Sequence, residues 1–250
     1  MPPILVSLTA YGAAEVGRHG QPWFARLACE AGADAVEVRG ELLRDPHAEL
    51  PLLAPFTSVY SEPVGLWTAE GELDTGALEH ALRCAALLGA PQIKMSIGGY
   101  RRASRASLAE LKQILAGAKL ELLVENDQTA GGGSVPALQE FFQAADGAGL
   151  ELGMTFDMGN WHWVGECPLR AAEALAPRVR YVHCKGVQRQ PAKWAAVPMT
   201  QSEAPWRTVL RALPATVPHA IEYPLAGDDL LAATRDEIAQ LRILRAPVHP

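Results

Sequence analysis

The chain has only four cysteines, Cys29, Cys84, Cys167 and Cys184, widely scattered and without a C-x-x-C pair, which argues against a disulfide framework and a zinc knuckle. They read as reduced thiols. There is no basic excess either. The formal net charge is −6 over 250 residues, whereas a general nucleic-acid surface carries an excess of Lys and Arg, so a small-molecule partner is expected and nucleic acid is not. No apolar run approaches the roughly 18 residues of a membrane span. The N-terminus enters the apolar run Ile4 to Val6 with no basic segment and no cleavage site before it, so a cytoplasmic protein is expected. No G-x-G-x-x-G follows that run, and Gly131, Gly132 and Gly133 lack the Lys-Ser/Thr ending of a phosphate loop, which disfavours an open doubly wound sheet. The glycine triplet reads as a flexible loop with Ser134 as the cap of a following helix. No linker or low-complexity tract divides the chain, so one domain over 1–250 is expected.

What is present is ample core material, 49% hydrophobic against 20% charged residues, arranged as short apolar runs alternating with helical segments. Eight runs stand out: Ile4 to Ser7, Ala35 to Val38, Thr57 to Ser61, Gln92 to Ser96, Leu120 to Glu125, Met154 to Asp157, Val179 to His183 and Ala220 to Tyr223. Between them, Ser107 and Glu110 are spaced as a capping box ahead of Leu108, Leu111 and Leu115. Asp74 or Thr75 is placed to start a helix over 77–88 that Gly89 and Pro91 end. Eight strands separated by helices predict an α/β protein, a single closed (β/α)8 barrel, for which about 250 residues is typical.

A parallel barrel builds its active site at the C-terminal ends of its strands, so the polar residue ending each run is informative. Four consecutive runs carry ligand-type side chains at or next to their ends: Glu125 in Leu-Leu-Val-Glu-Asn-Asp, Asp157 in Thr-Phe-Asp-Met-Gly-Asn, His183 in Tyr-Val-His-Cys-Lys and Glu222 in Ala-Ile-Glu-Tyr-Pro. Strand alternation sends their neighbours Val124, Phe156, Val182 and Ile221 outward under helices and the four polar groups toward the axis. Three crowded carboxylates repel and take up protons unless a cation neutralises them. A divalent metal is the economical solution, and three oxygen donors with one imidazole suit Mn²⁺ best, with Mg²⁺, Co²⁺ and Zn²⁺ as alternatives.

This series on successive strands resembles the xylose-isomerase-like superfamily of sugar isomerases and epimerases, as does Ala31-Gly-Ala-Asp-Ala-Val-Glu37 on the second strand. The resemblance implies that Glu125, Asp157, His183 and Glu222 hold one divalent ion and that Glu125 and Glu222 also move protons through a metal-stabilised cis-enediolate. It also implies a homo-oligomer. Return of the proton to the same carbon on the other face gives epimerisation, and return to the neighbouring carbon gives isomerisation. The superfamily's abasic-site endonucleases need further histidines, but Tyr60 or Ser61, Lys94 and Asn160 stand at those positions and no His-x-His follows His183. Strand seven departs from the His-x-Lys-Asp of many relatives, reading His183-Cys184-Lys185-Gly186. The stretches Ser7 to Gly12 and Val36 to Leu43 resemble the ketogluconate-utilisation epimerases, which makes a sugar acid a substrate to test beside a neutral keto-sugar.

Six further residues are candidates for substrate binding. Lys94 faces the barrel between Ile93 and Met95 and either binds a substrate oxygen or neutralises Glu125 or Glu37. Glu37 and Arg39 share a strand face and either pair together or leave Arg39 to clamp an acid group. Lys185 has a claim similar to that of Lys94, against a solvated lysine just past a strand. The resemblance puts Asn160 where relatives often carry a histidine that touches substrate, and an amide there can still donate to a sugar hydroxyl. Trp161, with Trp163, either stacks on a sugar face or packs in the core, while His162 points the other way. His19, His47, His80, His219 and His249 fall outside the rim as surface or packing residues. The long 185–204 connection reads as a lid or as an oligomer contact. Rival readings are a metal-free Schiff-base lyase using Lys94, a metal-dependent keto-sugar or inosose dehydratase, and a non-catalytic sugar-binding barrel.

Overall fold

Side chains alternate along each short apolar run, so a run buried on both faces must close against its neighbours on one side and against helices on the other. A computed structural model describes residues 2–245, leaving His249 outside the described residues. Its strands are β1 (Ile4–Ser7), β2 (Ala35–Arg39), β3 (Ser58–Ser61), β4 (Gln92–Ser96), β5 (Glu121–Glu125), β6 (Gly153–Asp157), β7 (Val179–Cys184), β8 (Gly186–Arg189), β9 (Trp194–Val197) and β10 (His219–Ile221). Eight of them close in the order β1-β10-β7-β6-β5-β4-β3-β2. Every pairing in the ring is parallel. The fold is a (β/α)8 barrel, as the strand count predicts.

The outward set, including Val6, Val38, Ile93, Val124, Phe156, Val182 and Ile221, joins the helices in the main core. Inside the ring, Leu5, Ala35, Val59, Leu123, Tyr181 and Ala220 form a separate apolar plug. The inward positions on the C-terminal side of this plug are polar. A register shift between Met154 and Thr155 skips Arg180 of β7 and sets Thr155 against Tyr181 and Asp157 against His183. Without that irregularity the pairing would slip by one and β7 would present Val182 opposite Asp157, because a one-residue slip flips every side chain.

Helix Thr75–Leu88 begins where Asp74 Oδ1 accepts from Ala77 N at 2.9 Å and ends at Gly89, which is left-handed at φ 71°. Of the two caps considered, Asp74 is the one used. The expected Ser107–Glu110 capping box does not form. Ser107 is itself helical at φ −83°, ψ −3°, with no side-chain capping bond. A 3-10 segment, Arg102–Ser107, precedes the helix Leu108–Ala116, and Ser107 Oγ instead donates to Ser104 O at 2.8 Å and accepts from Trp67 Nε1 at 2.9 Å.

The glycine triplet is also not a flexible loop. Ala130–Gly133 is a helical turn capped by Thr129, whose Oγ1 accepts from Gly132 N at 3.1 Å. Ser134 precedes helix Val135–Gly147 but makes no capping bond, because its hydroxyl donates back to Ala130 O at 2.8 Å. Glycine is required here for space, since a Cβ on Gly133 would lie 2.0 Å from Asp127 O. The long 185–204 connection contains an antiparallel hairpin of β8 and β9. Trp194 on it meets His162 at 5.0 Å between ring centroids. No helix among the described residues is long and apolar enough to cross a membrane.

Candidate active site

Four ligand-type atoms, one each from Glu125, Asp157, His183 and Glu222, lie within 4.8 Å of one another. Glu125 and Asp157 end β5 and β6, His183 is the penultimate residue of β7, and Glu222 stands one residue past β10. The main-chain N–H of Glu222 donates to Cys184 O at 3.1 Å, which continues the ladder and holds that side chain over the mouth. His183 is the hub. Its Nδ1 lies 2.7 Å from Glu222 Oε2, 3.0 Å from Glu125 Oε1 and 3.8 Å from Asp157 Oδ2. Its Nε2 lies 2.7 Å from Glu37 Oε2. A histidine held this way, one nitrogen on a carboxylate and the other aimed into a nest of oxygens, is the arrangement by which a second carboxylate orients a metal-binding imidazole.

Burial opposes the charged form of His183, but Glu222 and Glu37 outweigh it and hold the imidazole pKa well above its ordinary value. Burial likewise opposes the charged form of Glu222, yet the charges of His183 and Lys185 keep its pKa well below the usual carboxylate range. Against the same burial penalty, His183 and Lys94 lower that of Glu37. An ion at these atoms needs the Nδ1 lone pair, so its binding displaces a proton from His183. Three carboxylate oxygens and one imidazole nitrogen within a few ångströms, with no thiolate among them, make a donor set that suits a hard or borderline divalent ion.

Fixed cations complete the charge balance. Lys94, only 1% exposed, places Nζ 2.6 Å from Glu125 Oε2 and 3.7 Å from Glu37 Oε1. Arg39 Nη1 reaches Glu37 Oε1 at 2.9 Å and Glu222 Oε1 at 2.7 Å, and its Nη2 takes Glu41. Lys185 Nζ lies 2.7 Å from Asp157 Oδ2 and 2.9 Å from Glu222 Oε2. It is therefore an internal ion pair and not a solvated lysine. For Lys94 the structure shows the ion-pair arrangement, with its ammonium sealed from solvent. Burial opposes the charged form of Lys94, but Glu125 and Glu37 outweigh it and raise its pKa, so the amine stays protonated and is a poor Schiff-base nucleophile.

Two expected sugar contacts are placed differently. Trp161 is fully buried and packs with its ring 5.2 Å from that of Phe156, a member of the outward core, so it is no platform for a sugar. The amide of Asn160 is committed. Nδ2 donates to Asn126 O at 2.9 Å, while Oδ1 accepts from Gln128 at 3.1 Å and Lys185 at 3.3 Å. Asn126, absent from the sequence-based candidates, is wholly buried and bridges β5 to β6 through Asp157 N and O at 2.9 and 3.0 Å. Ser7 was also missed, although it ends the first apolar run; its Oγ donates to Glu37 Oε1 at 3.0 Å.

Fold and site together define a parallel (β/α)8 barrel with a carboxylate–histidine cluster at its C-terminal mouth. Residues 11–243 match the model of the xylose isomerase-like TIM barrel family, and the chain belongs to that family. No curated protein sequence matches it. Among solved structures it is similar to a probable 3-DHS dehydratase of Bacillus anthracis, at 14% identity and TM-score 0.69 over 96% of this chain and 98% of that one. It is also similar to D-psicose 3-epimerase of Clostridium cellulolyticum, at 10% identity and TM-score 0.70 over 98% and 100% of the two chains. A family 2 AP endonuclease of Brucella melitensis matches at 18% identity and TM-score 0.65 over 97% and 98%. At these identities the likenesses establish the fold.

Proposed function

We propose that this protein is a divalent-metal-dependent isomerase or epimerase of a keto-sugar or keto-sugar acid. One observation carries the reading: donor atoms of Glu125, Asp157, His183 and Glu222, from four successive strands of the ring, converge within 4.8 Å. Manganese suits this donor set best. A divalent ion held by these four residues would supply Lewis acidity toward a carbonyl and its neighbouring hydroxyl, acidifying the C–H of the hydroxyl-bearing carbon.

The protein's own residues supply the rest. Glu125 Oε1 and Glu222 Oε2 approach the same His183 nitrogen, at 3.0 and 2.7 Å, so both carboxylates border one small volume. One removes the proton of the acidified carbon and the other returns one. Their remaining oxygens are held by Lys94 and Arg39 at 2.6 and 2.7 Å, which fixes both carboxylates before the substrate arrives and limits reorganisation during proton transfer. Of the remaining polar candidates, Glu37 holds His183, Asn160 holds the β5–β6 loops, and Lys185 stays near the substrate. Four free cysteines fit a cytoplasmic setting. The similarity to a probable dehydratase supports a second reading in which the same carboxylates eliminate a hydroxyl instead of returning the proton.

The test combines elemental analysis of the purified protein with proton exchange from D₂O into a panel of ketoses, keto-sugar acids and inososes, for wild type and Glu222→Gln. About one metal equivalent, with exchange that disappears in the variant, is the expected result. Loss of water from a substrate would select the dehydratase. Protein that neither contains nor takes up a divalent ion would remove the four-ligand reading.

A further inference from the structure

Lys185 occupies a place that differs from those of the other two cations. Lys94 takes Glu125 by Oε2, while Oε1 faces His183. Arg39 takes Glu222 by Oε1, while Oε2 faces His183. Both leave the inward oxygen free. Lys185 does the reverse: its Nζ lies 2.7 Å from Asp157 Oδ2 and 2.9 Å from Glu222 Oε2, the oxygens of those residues nearest His183 Nδ1. Neither carboxylate has its other oxygen to spare. Asp157 Oδ1 accepts from Gly159 N and Asn160 N at 2.7 and 2.9 Å, and Glu222 Oε1 is on Arg39.

An ammonium and a divalent ion drawing on the same two oxygens repel each other and contend for the same lone pairs. We infer that Lys185 and a divalent ion compete for Asp157 Oδ2 and Glu222 Oε2, so that ion binding releases the Lys185 amine from the carboxylates. This rests on the metal reading of the site. The released amine has a nearby acceptor in Asn160 Oδ1, at 3.3 Å. It also stands at the stem of the β8–β9 hairpin, between the last residue of β7 and the first of β8, where it can donate to a substrate oxygen. Lys185 is thus a positioning cation that becomes a substrate contact when the ion is in place. Its path is cut by Gly159, on which a Cβ would lie 2.8 Å from Lys185 Cδ. Alanine there keeps every charge and crowds the stem.

The experiment titrates Mn²⁺ by calorimetry into the wild-type chain, Lys185→Met and Gly159→Ala, and follows acetylation of Lys185 in the wild type with and without Mn²⁺ by peptide mass spectrometry. Removal of a competing cation is expected to tighten Mn²⁺ binding about ten-fold or more in Lys185→Met, with a change of the same sign in Gly159→Ala. Acetylation of wild-type Lys185 is expected to rise several-fold in the presence of Mn²⁺. The labelling uses no variant, so it stands even where a substitution prevents folding. Wild-type protein that binds one Mn²⁺ with no change in labelling, or a folded Lys185→Met that binds no tighter, overturns the competition and leaves the metal reading standing. Failure of the wild-type chain to bind Mn²⁺ overturns both.

Discussion

Nε2 of His183 lies 2.7 Å from Oε2 of Glu37, and neither side chain is exposed to solvent. Glu37 belongs to β2 and His183 to β7, so the contact crosses the barrel interior and turns Nδ1 toward Glu125, Asp157 and Glu222. Loss of a carboxylate behind a metal-binding histidine weakens binding about 10–100-fold. Glu37→Gln is therefore expected to lower Mn²⁺ affinity by at least about ten-fold while leaving all four ligand types in place. Calorimetric titration checks it, and an unchanged affinity would show that His183 needs no orienting partner.

Lys94 gives a second expectation, one that separates an ion pair from a substrate contact. Removing one partner of a buried pair leaves the other charge uncompensated and costs about 3–5 kcal/mol. Lys94→Met should lower the unfolding free energy by that order in urea titrations at neutral pH. If Lys94 served the substrate alone, stability would hold and only KM would rise.

His219 opens β10 with its imidazole buried, near the backbone of Val217 but in no well-formed hydrogen bond with any of the described residues. Burial, reinforced by the charge of Arg245, pushes its pKa down to about 3 from 6.5. The folded chain keeps this imidazole neutral while the unfolded chain protonates it. Its contribution is complete above pH 6.5 and is lost as pH falls from there toward 3, by about 1.4 kcal/mol per unit. Glu37 and Glu222, whose pKa values are lowered, act in a different window, beginning near 4.5 and extending downward. His219→Met should therefore flatten the loss of stability between pH 6.5 and 5. Equal slopes for wild type and variant would rule out the assigned burial effect.

Gly133 and Gly147 offer a paired test of space. A Cβ at Gly133 would sit 2.0 Å from Asp127 O, a backbone atom that cannot step aside, whereas one at Gly147 meets nothing within 4 Å. Gly133→Ala is expected to cost about 1–3 kcal/mol, as overpacking does. Gly147→Ala, in the last turn of helix Val135–Gly147, should leave stability unchanged or raise it by up to about 1 kcal/mol. Thermal melts of the two variants check both.

Much of this was legible in the chain because it follows from local periodicity. Eight apolar runs announce eight strands, and the polar residue at the end of each run marks the barrel mouth. Glu125, Asp157 and His183 are readable by that rule with no knowledge of distance. Glu222 obeys it one residue past its strand. The helix Thr75–Leu88 was readable because a cap and a left-handed glycine are encoded within a few residues of its ends. Ser107 was misread for the complementary reason: Trp67, 40 positions away, claims its hydroxyl.

Alternation also fixed by sequence alone which side chains of each strand face the axis. Tertiary structure decided what they meet there. Glu37 and His183 are 146 residues apart, and only closure of the ring gives one to the other. The irregularity between β6 and β7 sets Asp157 against His183, and no residue type in either strand announces it. Trp161 and Asn160 could be placed near the site by sequence but not aimed, because rotamers and hydrogen-bond partners are settled by packing: the indole turned into the core, and the amide bonded to the neighbouring loop. Spacing along a chain fixes which groups share a face, whereas contact across a barrel depends on strand register and closure, which belong to the whole ring.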